Sequence, residues 1–182
     1  MYANQEHIEK WTQYRDARRA DYNFRARTRY AYVAELLFMM GLKSEHTVID
    51  VGAGTCGFGR YLHSKGWHGI YNPVDAVVSG EDLERWTPRH RADFYVSIET
   101  LEHLTEPYKL LDAMANKADI GLVITTPNPA AVDVLNCDPT HKSVLRGEEL
   151  RAKQLAVRAV SWFGVEADTL VAFGRTPLGE LY

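Results

Sequence analysis

Gly52, Gly54 and Gly57 stand in the segment VIDVGAGTCGFGRYL at G-x-G-x-x-G spacing, the spacing of turns that receive a nucleotide. Where such a turn joins a strand to a helix, the first glycine permits the bend. The second lets a ligand approach the backbone, and the third lets helix and strand pack closely. Charge then decides which ligand fits. A pyrophosphate needs amide donors and the positive end of a helix dipole, and a neighbouring carboxylate repels it. Asp50 puts a carboxylate two residues before the first glycine. That suits a ligand bringing positive charge, as an aminoacyl ammonium does. Asp50 either meets that ammonium through water or braces the loop amides, and the sequence leaves both roles open.

A second carboxylate, Asp75, follows the apolar segment GIYNPV. At a strand end it can accept both hydroxyls of an adenosine ribose. S-adenosylmethionine carries an ammonium, a sulfonium and an adenosine without phosphate, and so fits both carboxylates. The ribose contact alone serves NAD equally well. Candidates for proton transfer lie past a later apolar segment, in ETLEH, as Glu99, Glu102 and His103. The near-neutral pKa of imidazole makes His103 a candidate base or substrate contact, with a capping or carboxylate-bonded histidine as the alternative. Glu99 and His103 stand four apart, but two such groups make a poor metal site and the order is not H-E-x-x-H, so no metal is expected. His141 is a second candidate base, in the long loop Pro127–Leu145. Asn128, in TTPNP, stands beside the expected site. The segment is not the D/N-P-P-Y pattern of enzymes that methylate nucleobase amines, because no aromatic residue follows.

These residues need a scaffold, and the apolar periodicity supplies one. The first 43 residues read as helical, with Tyr30, Val33, Ala34, Leu37 and Phe38 on one face before Gly41. Beyond residue 45 short strands alternate with helices: strand Thr47–Val51, helix Phe58–Lys65, strand Gly69–Val74, strand Phe94–Ile98, helix Pro107–Lys117 and strand Ile120–Thr125. Glu148–Val160 reads as a helix, followed by short strands near Phe163–Ala167 and Leu170–Gly174. Alternation of this kind predicts an α/β fold with a mostly parallel sheet and helices on both faces. The last two strands are too close for a crossover helix, so an antiparallel hairpin should end the sheet.

Composition narrows the class. With 182 residues, 46% hydrophobic and 25% charged, the chain reads as a single domain with a sizeable core. Residues 1–43 form a helical segment on its lid or substrate side, and residues 44–182 form the core. A net charge of -3 argues against non-specific nucleic-acid binding. The six arginines between Arg15 and Arg29 read as a solvated face, with a lid over an anionic substrate as the sharper alternative. Cys56 and Cys137 are the only cysteines, which gives no disulfide framework and points to a cytoplasmic setting. The start, MYANQEHIEKW, lacks the apolar core of a signal peptide, and no apolar run is long enough to span a bilayer.

VIDVGAGTCGFGRYL, GIYNPVDAVV, DFYVSIETLEHL and VITTPNP, taken in this order, resemble the class I S-adenosylmethionine-dependent methyltransferases, a Rossmann-like family. The branch most like it methylates ubiquinone precursors and other small molecules; DPTHKSVLRGEEL also resembles that group's loop into its last helix. The resemblance covers about residues 45–175. It implies that Asp50, Gly52, Ala53 and Gly54 hold the methionine end of the cofactor, that Asp75 binds the ribose and that Ala76 lies beside the adenine. It places Asp82 and Leu83 around the adenine amino group and ring, and Ser97 and Ile98 against the methionine part. The chain departs from the pattern between Asp75 and Asp93, where 76–92 are too few residues for a helix and another strand. The implied activity is methyl transfer to a small-molecule acceptor. Other readings are a non-catalytic S-adenosylmethionine-binding module, a nucleic-acid or protein methyltransferase gripping through Arg15–Arg29, and an NAD-dependent oxidoreductase. Neither the oligomeric state nor the acceptor is legible.

Overall fold

The computed structural model describes Glu9 and residues 19–162 and 164–176. Helix α1 (Arg19–Met39) precedes strand β1 (Thr47–Val51), helix α2 (Gly57–Ser64), strand β2 (Ile70–Val74) and strand β3 (Ala92–Ile98). A 3₁₀ turn at Leu101–His103 leads to helix α3 (Pro107–Lys117) and strand β4 (Ala118–Pro127). Two short helices, α4 (Val134–Cys137) and α5 (Gly147–Ala152), come before strands β5 (Ala156–Val160) and β6 (Thr169–Arg175). The first 18 residues of the expected N-terminal helix, Glu9 excepted, lie outside the described residues, as does Phe163.

The six strands form one sheet in the order β2-β1-β3-β4-β6-β5. β2, β1, β3 and β4 are parallel, and β6 runs antiparallel to both β4 and β5. The expected α/β fold, mostly parallel and ending in an antiparallel hairpin, is the observed one. Pro73, which cannot donate to a ladder, is tolerated in β2 because β2 is an edge strand.

Alternation along each strand feeds two cores. Val48, Phe94, Val96, Val123 and Val171 face α1 and α2, joining Val33, Leu37, Phe58 and Leu62. Ile49, Tyr95, Leu122, Ile124 and Leu170 point the other way, toward Leu110, Leu111 and Met114 of α3 and Leu150 of α5. This period of two across a sheet covered on both faces is the arrangement that parallel sheets require. Each fully buried aliphatic side chain contributes about 1.5–3 kcal/mol.

The two departures from expectation fall near the C-terminus. The helix expected over Glu148–Val160 ends at Ala152, and Ala156–Val160 is instead the edge strand β5. Gln154 adopts a left-handed backbone (φ 63), which ends the helical path without a glycine or proline to announce it. No strand forms over the described part of Phe163–Ala167; a turn there joins β5 to β6, with Ala167 also left-handed (φ 55). The hairpin pairs Val160 with Thr169 and Ala156 with Phe173. Between β2 and β3 the chain makes turns only, as the short 76–92 segment requires.

Candidate functional site

β1 delivers its chain to the carboxyl edge of the sheet, where the glycine loop begins. Gly52 (φ 84) and Gly54 (φ 52) both take left-handed backbone conformations, and the Gly52 amide donates to the Val74 carbonyl at 2.8 Å. A Cβ on Gly52 would lie 2.0 Å from Thr100 Oγ1, so glycine is required there for conformation and space together. The same contact shows that the loop packs directly on the turn after β3. Asp75, just past β2, braces the loop: its Oδ2 accepts the Gly54 amide at 3.0 Å and its Oδ1 accepts the Val77 amide at 2.8 Å. Of the two roles left open for Asp50, loop bracing therefore belongs to Asp75 instead. Asp50 is buried on β1 and accepts the Tyr71 hydroxyl.

Burial pushes the Asp50 carboxyl up to about 7; the Tyr71 hydroxyl opposes the rise and the nearby Asp75 charge adds to it. Burial is the main cause of that rise, and the Asp75 carboxylate beside the glycine loop adds a smaller like-charge contribution. Arg60, in α2, donates to the Thr55 carbonyl of the loop.

β3 ends at Ile98, and Glu99 turns the chain through a left-handed conformation (φ 51). Its amide and its Oε1 both bond Thr125 of β4, the latter at 2.8 Å. Its Oε2 lies 3.5 Å from Nη1 of Arg29, an ion pair whose side chains are only 7% and 14% exposed. Burial raises the Glu99 pKa while the Arg29 charge opposes the rise. Arg27 is exposed, Arg29 reaches inward to anchor the turn, and Arg15 and Arg18 lie outside the described residues.

The 3₁₀ turn carries Glu102 and His103, and the loop after α4 folds back onto it. The amides of Lys142 and Ser143 donate to the Glu102 carbonyl at 2.8 and 3.1 Å. This clasp brings the rings of His103 and His141 to 4.8 Å between centroids, edge to face. The Thr140 hydroxyl donates to Asp138 Oδ1 at 2.6 Å, so its oxygen accepts from His103 Nδ1 at 2.9 Å. His141 Nδ1 meets the Val134 carbonyl at 2.5 Å, and a carbonyl can only accept. Hydrogen-bond partners therefore put the proton of each ring on Nδ1 and the lone pair on Nε2. Glu102 is 1% exposed, and neither carboxylate oxygen has a hydrogen-bond partner among the described residues. The Thr126 hydroxyl lies near enough to favour its charged form but short of bonding geometry. Burial, reinforced by the Glu99 charge, raises the Glu102 pKa well above the ordinary carboxylate range.

The remaining sequence-derived residues fall around this centre. Ser97 is fully buried on β3 with no partner for its hydroxyl among the described residues, and Ile98 packs on the α1 side of the sheet. Ala53 is buried in the glycine loop and Ala76 is half-buried in the turn after Asp75. Asp82 closes its own turn, its Oδ1 accepting the Glu84 amide at 3.1 Å, while Leu83 packs on the α3 side of the core. Asn128 is occupied structurally, donating to the Ala167 carbonyl at 2.7 Å and accepting from the Ala130 amide at 3.1 Å. Sequence reasoning missed Arg29, Tyr71 and Thr140 as partners of site residues, and missed Glu102 as a neighbour of both histidines. For Glu102 a signal existed, in the E-x-x-E-H spacing followed by a histidine in a long loop. For the others the pairing exists only in three dimensions.

No protein-family model and no curated protein matches the chain. Solved structures do match in fold. The chain is similar to a SAM dependent methyltransferase from Archaeoglobus fulgidus at TM-score 0.60 and 15% identity, over 81% of this chain and 94% of that one. It is also similar to magnesium protoporphyrin IX methyltransferase from Synechocystis, with bound SAH, at TM-score 0.62 and 12% identity over 96% of both chains. The N-methyltransferase NodS from Bradyrhizobium japonicum, in complex with S-adenosyl-l-homocysteine, aligns at TM-score 0.54 and 16% identity over 83% of this chain and 87% of that one.

Proposed function

We propose that this chain binds S-adenosylmethionine in the glycine loop and transfers its methyl group to a small-molecule acceptor. The observation that carries the reading is the placement of two carboxylates, Asp50 and Asp75, at a left-handed glycine turn. A dinucleotide would bring more negative charge to that place; an ammonium and a ribose bring the cation and the hydroxyl donors that two carboxylates accept. The fold shared with methyltransferases supports the same reading.

In this reading Asp50 and the amides around Gly52 and Gly54 hold the amino-acid end, with Ala53 lining the loop. Asp75, each of whose oxygens accepts one amide, has a lone pair left on each for the ribose hydroxyls. Ala76, Asp82 and Leu83 would flank the adenine, and Ser97 and Ile98 the methionine chain. The cofactor supplies a methyl already activated by its sulfonium. What the protein adds is position and exclusion of water, with a base only where the acceptor must lose a proton. The Nε2 lone pairs of His103 and His141 are the groups fitted to that last task. Glu99 is tied to Arg29 and Thr125, and in this reading it positions the turn rather than taking a proton. The acceptor would sit by the two histidines, beside Thr100, where the turn meets the glycine loop.

Incubating the protein with methyl-labelled S-adenosylmethionine and a metabolite extract tests this. Label in a small product, lost in His103→Gln, supports the reading. Label in nucleic acid or protein, or none at all with an extract that labels a known enzyme's acceptor, overturns it.

A further inference from the structure

We infer that Tyr71 is a positioning residue for the glycine loop: its hydroxyl, reached through a notch left by Gly59, holds the Asp50 carboxylate in place to receive a cationic ligand. The identity of that ligand rests on the cofactor reading proposed above. The contact between Tyr71 and Asp50 stands without it.

β1 and β2 run parallel, with Val48 beside Tyr71 and Asp50 beside Pro73. Residues two apart on a strand share a face, so Tyr71 and Asp50 point to the same side of the sheet, one diagonal step apart. A short aliphatic side chain at 71 would stop before that step, whereas the tyrosine ring spans it and its hydroxyl donates to Asp50 Oδ2. Among the described residues this is the one hydrogen bond to the Asp50 carboxylate, which leaves Oδ1 for a ligand. The same face carries α2, where a side chain would ordinarily fill the space that the ring crosses. Gly59 removes it. A Cβ there would meet Tyr71 Cε1 at 2.5 Å and Cζ at 2.6 Å. Gly59 lies within α2 and is not left-handed, so no turn accounts for a residue type that weakens a helix; the ring does.

Burial, and then the Asp50 charge, push the Tyr71 hydroxyl upward, so it stays protonated and serves only as a donor. A donor to the charged form favours that form, and Tyr71 accordingly opposes the burial-driven rise at Asp50. Without this donor the buried carboxyl would stay neutral to higher pH and offer no charge to an ammonium. Other groups surround Asp50. Asp75 follows β2, Cys56 sits in the glycine loop with Arg60 of α2 acting on it, and β3 places Val96 in register. Tyr30 of α1 brings its hydroxyl over Gly57. Substitutions at 71 and 59 leave all of these residues in place, so their contributions cancel between variant and wild type.

The test uses the full-length protein and two readouts. The first needs no ligand: the carbon-13 resonance of the Asp50 carboxyl, assigned by its loss in Asp50→Asn, is followed against pH. In Tyr71→Phe, checked for folding by circular dichroism, its midpoint should lie about 1 pH unit above that of the wild type. Gly59→Ala displaces the ring and should move the midpoint the same way. Combined with Tyr71→Phe it should move it no further than Tyr71→Phe alone. The second readout is the affinity for S-adenosylhomocysteine by calorimetry. Tyr71→Phe should bind about tenfold more weakly at pH 6, yet within about twofold of the wild type at pH 8.5. A midpoint unmoved in either folded single variant would overturn the proposal. So would an affinity loss of equal size at both pH values, which is what a merely structural role produces. Failure of the wild type to bind S-adenosylhomocysteine at pH 8.5 would overturn the cofactor reading, while a moved midpoint would leave the coupling of Tyr71 to Asp50 standing.

Discussion

Replacing Asp50 by asparagine should make the protein more stable than the wild type at alkaline pH, and progressively less so as the pH falls. Asp50 is 2% exposed and its pKa rises from 3.8 to about 7 on folding. The folded state therefore holds this proton more tightly than the unfolded chain does. Stability from this group is fully present below the unfolded value of 3.8 and is lost as pH rises through about 7. The full loss corresponds to about 4 kcal/mol, of which about 3 kcal/mol falls between pH 5 and pH 8. Asparagine has nearly the same shape, keeps an oxygen for the Tyr71 hydroxyl and carries no titrating proton. Glu99 and Glu102 are raised in the same direction, and Glu84 and Asp138 are lowered, so the wild-type profile alone mixes several groups. The difference between wild type and Asp50→Asn cancels them. Urea denaturation of both proteins at pH 5, 6, 7 and 8 measures it. The gap should widen in favour of the variant by about 3 kcal/mol across that range. Curves that run parallel would refute the burial-driven rise.

Three further outcomes follow from the same geometry. Gly52→Ala places a Cβ 2.0 Å from Thr100 Oγ1 at φ 84, so it should cost upward of about 2 kcal/mol; the double variant with Thr100→Ser should recover part of that in thermal melts. Arg29→Met removes the cation facing Glu99 in a largely buried pair and should destabilise by about 3 kcal/mol, with Glu99→Gln in the same chain restoring most of it. S-adenosylhomocysteine should bind more tightly as pH rises from 6 to 8, approaching tenfold per pH unit below about 7, because its ammonium favours ionised Asp50; calorimetry in buffers of different ionisation enthalpy should show the proton released.

The parts legible in the sequence are those fixed by local pattern. Alternation at Val48–Ile49 and Phe94–Tyr95–Val96 announced buried strands, and Pro107 at the first turn of α3 with Leu110, Leu111 and Met114 on one face announced a helix. The glycine loop was legible because Gly52 needs both a left-handed backbone and the absence of a side chain. β5 was not. Its residues lie at a sheet edge, only partly covered, and its separation from α5 rests on the left-handed Gln154, a residue type that does not signal a break. In the site, Asp75 could be placed from strand order alone. The partnership of Glu102 with His141 could not, because it depends on a distant loop returning through the Lys142 and Ser143 amides. Arg29 was hidden for a similar reason: among several arginines, only packing of α1 on the sheet selects the one that meets Glu99.

Calorimetric titration with S-adenosylhomocysteine, NAD and ATP tests the central claim most directly. One S-adenosylhomocysteine should bind per chain, with no heat of binding from NAD or ATP and at least about tenfold weaker binding in Asp75→Ala. Binding of NAD in place of S-adenosylhomocysteine, or an affinity indifferent to Asp75→Ala, would contradict it.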